Sequence, residues 1–254
     1  FGLYCSDAPI ADLDGDGKPD VALGRIPADS AADVAAAAAK IAVMEALDIE
    51  SLPLTALFFA GASRAEGEDF ATASAELANL LPATVPSTLV ELSSTNPEVA
   101  TQQLRERINS GTAILNYVGH GSLTQVTKSA VLTGSTVPQL ANADAPALFL
   151  AASCLVGRFS VPGIDSLGEI MLTTPGAGSA ASIAAVSPTH NSVNLDFNRR
   201  LLKGLGSPDV ETVGEAYVQA MRSAADAAQP EGYGYLPIVY LGDPALRGRF
   251  YEIE

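Results

Sequence analysis

From residue 54 onward the chain alternates short apolar runs with longer stretches of helical character. Runs at 54–60, 87–92, 112–118, 147–152, 180–186 and 236–241 lack a 3.6-residue period and read as strands, most of them apolar on both faces. Between them, 69–81, 96–108, 166–172, 195–205 and 210–227 carry helix-forming patterns. Asn96 caps one of these, with Pro97 at its first helical position. A short helix is expected near 137–141 and a last short strand at 249–253. Such alternation predicts an α/β fold: a mostly parallel sheet with helices on both faces. Ahead of it, Asp29 and Ser30 cap an Ala-rich helix reaching to about residue 49, with Val34, Ile41, Val43, Met44 and Leu47 available for burial. That helix reads as a brace rather than a site. The chain shows no fixed-period repeat and no long low-complexity linker.

Two of the runs end in reactive side chains. The strand at 112–118 leads into G-H-G-S, which carries His120, and the strand at 147–152 leads into Ser153 and Cys154. If the two are parallel neighbours, both residues emerge at the carboxyl edge of the sheet, where ligands bind in open α/β folds. A thiol becomes a useful nucleophile when a nearby imidazole raises its thiolate fraction. Taken alone, His120 reads as a core histidine and Cys154 as a small buried hydrophobe; the matching strand-end context reverses both readings. Gly119 and Gly121 free the backbone and leave room beside the imidazole. The amides of Gly121 and Cys154 are available as oxyanion donors.

Composition narrows the function classes. With 48% hydrophobic and 17% charged residues the chain is globular, and its length suffices for a full core. Its 29 acidic against 14 basic residues give a net charge of −15, which argues against nucleic acid or anionic membranes as partners. No apolar run reaches the roughly 18 residues of a membrane span, and no signal peptide is visible. The chain opens at Phe1 without a methionine, so a mature form or an excised fragment is expected. The two cysteines, Cys5 and Cys154, are too few for a disulfide framework, although a single bond between them stays open. The D-L-D-G-D-G-K-P-D stretch at 12–20 matches the start of a calcium loop, with Asp12, Asp14, Asp16, Lys18 and Asp20 as candidate ligands. The twelfth position holds Leu23 rather than a bidentate Glu, so a structural Ca²⁺ in a shorter loop and a solvated acidic turn both remain open.

N-Y-V-G-H-G-S at 116–122 followed by A-S-C-L-V-G-R-F at 152–159 resembles the gingipain family of cysteine peptidases, in the clan of caspases and clostripain. V-A-L-G-R at 21–25, A-N-L-L at 78–81 and Y-L-G-D-P at 240–244 are similar to further family segments, in the same order. The resemblance implies a caspase-like fold with His120 as acid/base and Cys154 as nucleophile, cleaving a peptide bond through a thioester with the oxyanion on Gly121 and Cys154. It also implies a glutamate behind the histidine. A-E-G at 65–67 resembles the segment that carries it, so Glu66 is the candidate. An acidic residue of the same loop reads the basic P1 side chain in gingipains; Glu68 or Asp69 would serve, against the alternative of a solvated loop opening a helix. His190 lies where the family has a tryptophan wall, and this chain has no Trp; a plain loop histidine is the competing reading. The organisation implied is a tail of a preceding subdomain at 1–28, the bracing helix at 29–51 and a caspase-like catalytic subdomain at 52–254. A polypeptide substrate, a secreted or cell-surface bacterial setting and a missing first subdomain or flanking domains as partners complete the expectation. Acyl transfer to an amine, as in transpeptidases of the family, and a non-catalytic recognition module are the alternatives.

Overall fold

A computed structural model of the chain describes residues 4–47, 55–63, 65–226 and 237–248. The expected alternation forms a six-stranded sheet of order β2-β1-β3-β6-β7-β8, built from β1 (Ala56–Ala60), β2 (Ser87–Glu91), β3 (Ile114–Val118), β6 (Ala147–Ala152), β7 (Ser179–Ala185) and β8 (Ile238–Gly242). Every pairing is parallel except that of β8 with β7. A two-stranded hairpin outside the sheet, β4 (Gln125–Val126) with β5 (Leu132–Thr133), follows the His120 strand where only a loop was expected. A 3₁₀ turn at Val137–Gln139 stands where the short helix was expected. The strand expected at 249–253 lies outside the described residues.

Period-two alternation divides the strands between two cores. Phe58, Ile114, Val118 and Leu150 face α3 (Phe70–Ala78), α6 (Asn191–Leu205) and α7 (Val213–Asp226). Leu57, Phe59, Leu115, Tyr117 and Phe149 face the opposite way, toward α4 (Pro97–Asn109) and α5 (Leu167–Thr173). Burial on both faces is why these strands are apolar without interruption. α4 is capped by Asn96, whose carboxamide oxygen accepts the Glu98 amide at 2.8 Å.

The Ala-rich brace, α2 (Ala31–Ala46), starts at a capping box between Ser30 and Asp33 and packs on α5 and β7. Its large apolar residues are not what it buries: Val34 is 47% exposed and Ile41, Val43, Met44 and Leu47 are only half-buried. Ala36, Ala37 and Lys40 go inside instead, because small side chains let the helix approach its neighbours closely. The Lys40 ammonium donates to the carbonyls of Met171, in the last turn of α5, and of Ala177 beyond it, each at 2.7 Å. Burial pushes its amine down to about 7.

Residues ahead of α2 are tied to the sheet. They begin with a short helix, α1 (Ala8–Ala11), that the apolar pattern did not announce. Arg25 exchanges backbone hydrogen bonds with β8 (to Tyr240 at 3.0 Å and from Gly242 at 2.8 Å) and forks its guanidinium onto Asp7. The same guanidinium lies over the Phe159 ring at 4.4 Å. No described helix is long and apolar enough to cross a membrane.

One buried polar contact fixes the slide of α6 over the sheet. Asn116 of β3 and Asn198 of α6 exchange carboxamide hydrogen bonds at 2.9 and 3.2 Å, both residues being almost fully buried. Asn198→Leu is therefore expected to destabilise the chain by about 1–3 kcal/mol, because Asn116 is left buried and unpaired, whereas the Asn116→Leu/Asn198→Leu double variant recovers much of that loss. A double-mutant cycle by denaturant unfolding checks this.

Candidate active site

The four parallel strands β1, β3, β6 and β7 end at one edge, and the loop after each contributes a residue to one cluster. Pairing of β3 with β6 places Val118 opposite Ala152, so His120 and Cys154 lie two residues beyond the same register point. Adjacent strands are about 4.8 Å apart, which brings the two residues out side by side. From β1 the chain steps outward to β2 and returns on the other side as β3, so the order reverses between β1 and β3. That is the position at which open sheets form their crevice.

Across this crevice Glu68, on the loop after β1, meets His120, on the loop after β3. The imidazole Nε2 lies 3.1 Å from both carboxylate oxygens of Glu68. A carboxylate only accepts, so the proton of this contact sits on Nε2 and Nδ1 faces away from Glu68. The pair is partly shielded, with side-chain exposures of 37% for His120 and 14% for Glu68. The Phe70 ring meets the imidazole edge-on at 5.4 Å. Behind it, the Tyr117 hydroxyl donates to the His120 carbonyl at 2.6 Å and fixes the backbone of the histidine.

The residue beside the imidazole is thus Glu68, and the expectation of Glu66 is corrected by two positions. The Glu68 amide bonds the Ala65 carbonyl at 3.2 Å and Gly67 has φ +86°, so 65–68 is a tight turn. Glu66 occupies its outer corner, exposed, while the Glu68 carboxylate folds back to accept the Ala65 amide at 3.1 Å. Asp69 caps α3 through the amide and hydroxyl of Thr72, and the Thr72 amide is the main reason its carboxyl is held below the usual range.

Cys154 and Cys5 are both free thiols. Among the described residues no hydrogen bond joins Cys154 to His120. Its sulfur instead meets Thr189, on the loop after β7: the Thr189 amide donates to Sγ at 3.4 Å, the Thr189 carbonyl lies at 3.5 Å and its hydroxyl at 3.7 Å. Asn191, two residues on, donates from Nδ2 to Glu68 Oε1 at 3.1 Å. His190, between them, is exposed at the start of α6, so the residue that touches the cysteine is its neighbour. Thr189 and Asn191 were not singled out from the sequence. The strand-end reasoning that found His120 and Cys154 applies equally to the polar residues that follow β7.

The amides of Gly121 and Cys154 donate to no group among the described residues. The bridge between Gly121 and Val126 is made by the flanking residues, His120 with Thr127 and Ser122 with Gln125, which leaves the Gly121 N–H outside the ladder. Close approach requires glycine there, since a Cβ on residue 121 would lie 2.3 Å from Ser153 Oγ and 3.1 Å from the Cys154 carbonyl.

In the acidic loop, carboxylate oxygens of Asp12, Asp14 and Asp20 lie within 4.8 Å of one another, and Asp16 is not among them. The loop also uses these groups itself: Asp12 accepts the Gly15 and Gly17 amides, Asp14 that of Asp16, and Asp16 that of Lys18. Asp20 accepts the Leu13 amide at 2.7 Å, which chiefly lowers its pKa, and pairs with Arg222 at 3.2 Å. Three convergent carboxylates are a donor set that fits a hard cation.

A family model described as Peptidase family C25 matches residues 3–249. Among solved structures, the Arg-specific cysteine proteinase gingipain R superposes with a TM-score of 0.83 at 21% identity, over 97% of this chain and 60% of that one. The complex of Porphyromonas gingivalis RgpB pro- and mature domains matches at the same TM-score and identity, over 96% of this chain and 61% of that one. A structure described only as a protease matches at 0.78 and 16% identity, over 96% and 59%. This chain therefore spans about three fifths of the structures it resembles. No curated protein matches it.

Gly119 is a second steric constraint at the site, and the one with a left-handed backbone. Its φ is +153°, and a Cβ there would fall 2.5 Å from the Tyr117 hydroxyl that holds the His120 carbonyl. Gly119→Ala is expected to lower stability by about 1–3 kcal/mol and to displace His120. Thermal unfolding, with the His120 imidazole resonances as a local probe, checks both effects.

Proposed function

The chain belongs to peptidase family C25, and from that membership we propose that it is a cysteine endopeptidase acting through a thioester on Cys154. The observation that carries the reading is the convergence at one sheet edge of the Glu68–His120 pair, Cys154 and two unused amides. In this reading His120 Nδ1 takes the thiol proton, and the thiolate attacks the scissile carbonyl carbon. The oxyanion settles on the Gly121 and Cys154 amides, which donate to no other described group. The imidazolium, held by Glu68, then returns its proton to the leaving amine. Water, activated by the same imidazole, hydrolyses the thioester to the acid. Fold likeness supports the caspase-like setting, and family membership supports secretion or display at a bacterial cell surface, which belongs to the same proposal.

The Arg specificity named for gingipain R is not carried over. Glu68 is engaged by His120 and Asn191, and Asp69 by the first turn of α3. Proposed substrates are polypeptides without a required basic P1 residue.

With a panel of fluorogenic peptides, Cys154→Ala is expected to lose at least about 10³-fold in kcat/KM. Glu68→Gln is expected to lose roughly 10–100-fold, with Glu66→Gln within about twofold of the parent. Equal activity in the parent and Cys154→Ala proteins sinks the proposal. Amide rather than acid as the main product in the presence of added amines assigns the thioester to transpeptidation instead.

We propose separately that Asp12, Asp14 and Asp20 hold a structural calcium ion. Millimolar Ca²⁺ is then expected to raise the melting temperature by a few degrees and EDTA to reverse it. An unchanged melting temperature leaves the loop as a turn held by its own amides.

A further inference from the structure

In-register strand ends set where the Cα atoms of His120 and Cys154 emerge, but not how their side chains are aimed. No hydrogen bond joins the two, so something else must hold the nucleophile and the base at working separation. The turn between β7 and α6 makes both contacts. Thr189 grips the Cys154 sulfur with its amide, and Asn191 grips the carboxylate that holds His120.

Asn191 is not spent on starting its own helix. The N-cap of α6 is His190, which makes no side-chain capping bond, and the Asn191 carboxamide reaches across the fold to Glu68. α6 is fifteen residues long, and its N-terminus, with its partial positive charge, lies beside the Glu68 carboxylate. The helix is also locked to β3, the strand that leads to His120, by the Asn116–Asn198 pair. The turn is therefore anchored to the frame that carries the base, while its other end touches the nucleophile.

We propose that Asn191 is a positioning residue of this site, and that the β7–α6 turn, through Thr189 on Cys154 and Asn191 on Glu68, sets the spacing between nucleophile and base. The proposal rests on the peptidase reading for its consequence in turnover, but the bracket itself is a statement about Glu68 and His120 that needs no substrate to observe. Asn191 acts on the reaction through Glu68 and touches no reacting atom.

Asn191→Asp is the sharpest test. Aspartate has almost the same shape and is well tolerated at a helix N-terminus, so a merely structural role would be preserved. It replaces the donor facing Glu68 with a second carboxylate, and the added negative charge favours the protonated imidazole. Asn191→Leu removes the donor without adding charge. In the full chain, both variants are expected to lower kcat about 10–100-fold, with KM changed by less than about threefold and melting temperatures within a few degrees of the parent. The chain contains two histidines, so the His120 titration is readable by NMR once His190→Gln has assigned the resonances. Asn191→Asp is expected to move that titration upward by about half a pH unit or more. An unmoved titration overturns the proposal whether or not kcat falls, and so does parent-like kcat in both variants when the parent is active. Should the parent show no Cys154-dependent hydrolysis while the His120 titration still moves in Asn191→Asp, the peptidase reading fails and the bracket stands.

Discussion

The site depends on one pairing, that of β3 with β6. Because the two strands run parallel with Val118 opposite Ala152, each sends its next residues over the same edge at the same height. A slip of one residue would turn the side chains of a whole strand to the opposite core, exchanging Leu115 and Tyr117 for Asn116 and Val118. Two distinct buried faces thus hold the register more firmly than any contact within the site. His120 and Cys154 stay neighbours without bonding each other because the sheet keeps them so.

Upon that frame the ionic chemistry is placed where it costs least. A fully buried imidazolium–carboxylate pair loses more in desolvation than its attraction returns, whereas a fully exposed one is too weakly coupled to orient a ring. Glu68 at 14% and His120 at 37% exposure lie between those limits. Among the described residues, the carboxylate is supported by the imidazole, by the Ala65 amide and by Asn191. Support of this kind fixes the Glu68 carboxylate on the Nε2 side of the ring and leaves Nδ1 facing away from it.

What could be read from the sequence follows the strength of the physical signals. The Cys154 strand was legible to its last residue, 147–152, because an apolar run without period ends abruptly at a polar pair. Asn96 and Pro97 marked the start of α4 for an equally local reason. The hairpin β4–β5 was not legible, since two-residue strands carry no period. Burial on α2 was misjudged because amphipathic patterning assigns the core to large side chains, whereas a close helix crossing is made with alanines and with a lysine stem. Glu66 was preferred to Glu68 because A-E-G at 65–67 resembles the family segment, and a resemblance does not reveal how a turn orients its corners, which the backbone of Gly67 decides. Thr189 and Asn191 carry no pattern at all, being single polar residues in a loop whose importance comes from strand order.

The loop after Cys154 is held from behind the sheet edge. Leu155 has φ +65°, a conformation unfavourable for a residue with a branched side chain, and it turns the chain out of the strand direction immediately after Cys154. The ladder has already ended at Ala152, and the Ser153 amide bonds the Ala151 carbonyl at 2.9 Å, so the Cys154 amide lies beyond the strand pairing. Strain of this sort persists only where neighbours hold it. Gly157 packs so closely that a Cβ would fall 2.8 Å from the Ala184 carbonyl, and its amide bonds the Ala185 carbonyl at 2.9 Å. Beyond it, Phe159 is covered by Arg25, itself tied to β8 and Asp7. Residues far ahead of the sheet in sequence thereby pack on the loop that follows Cys154 and tie it to β8.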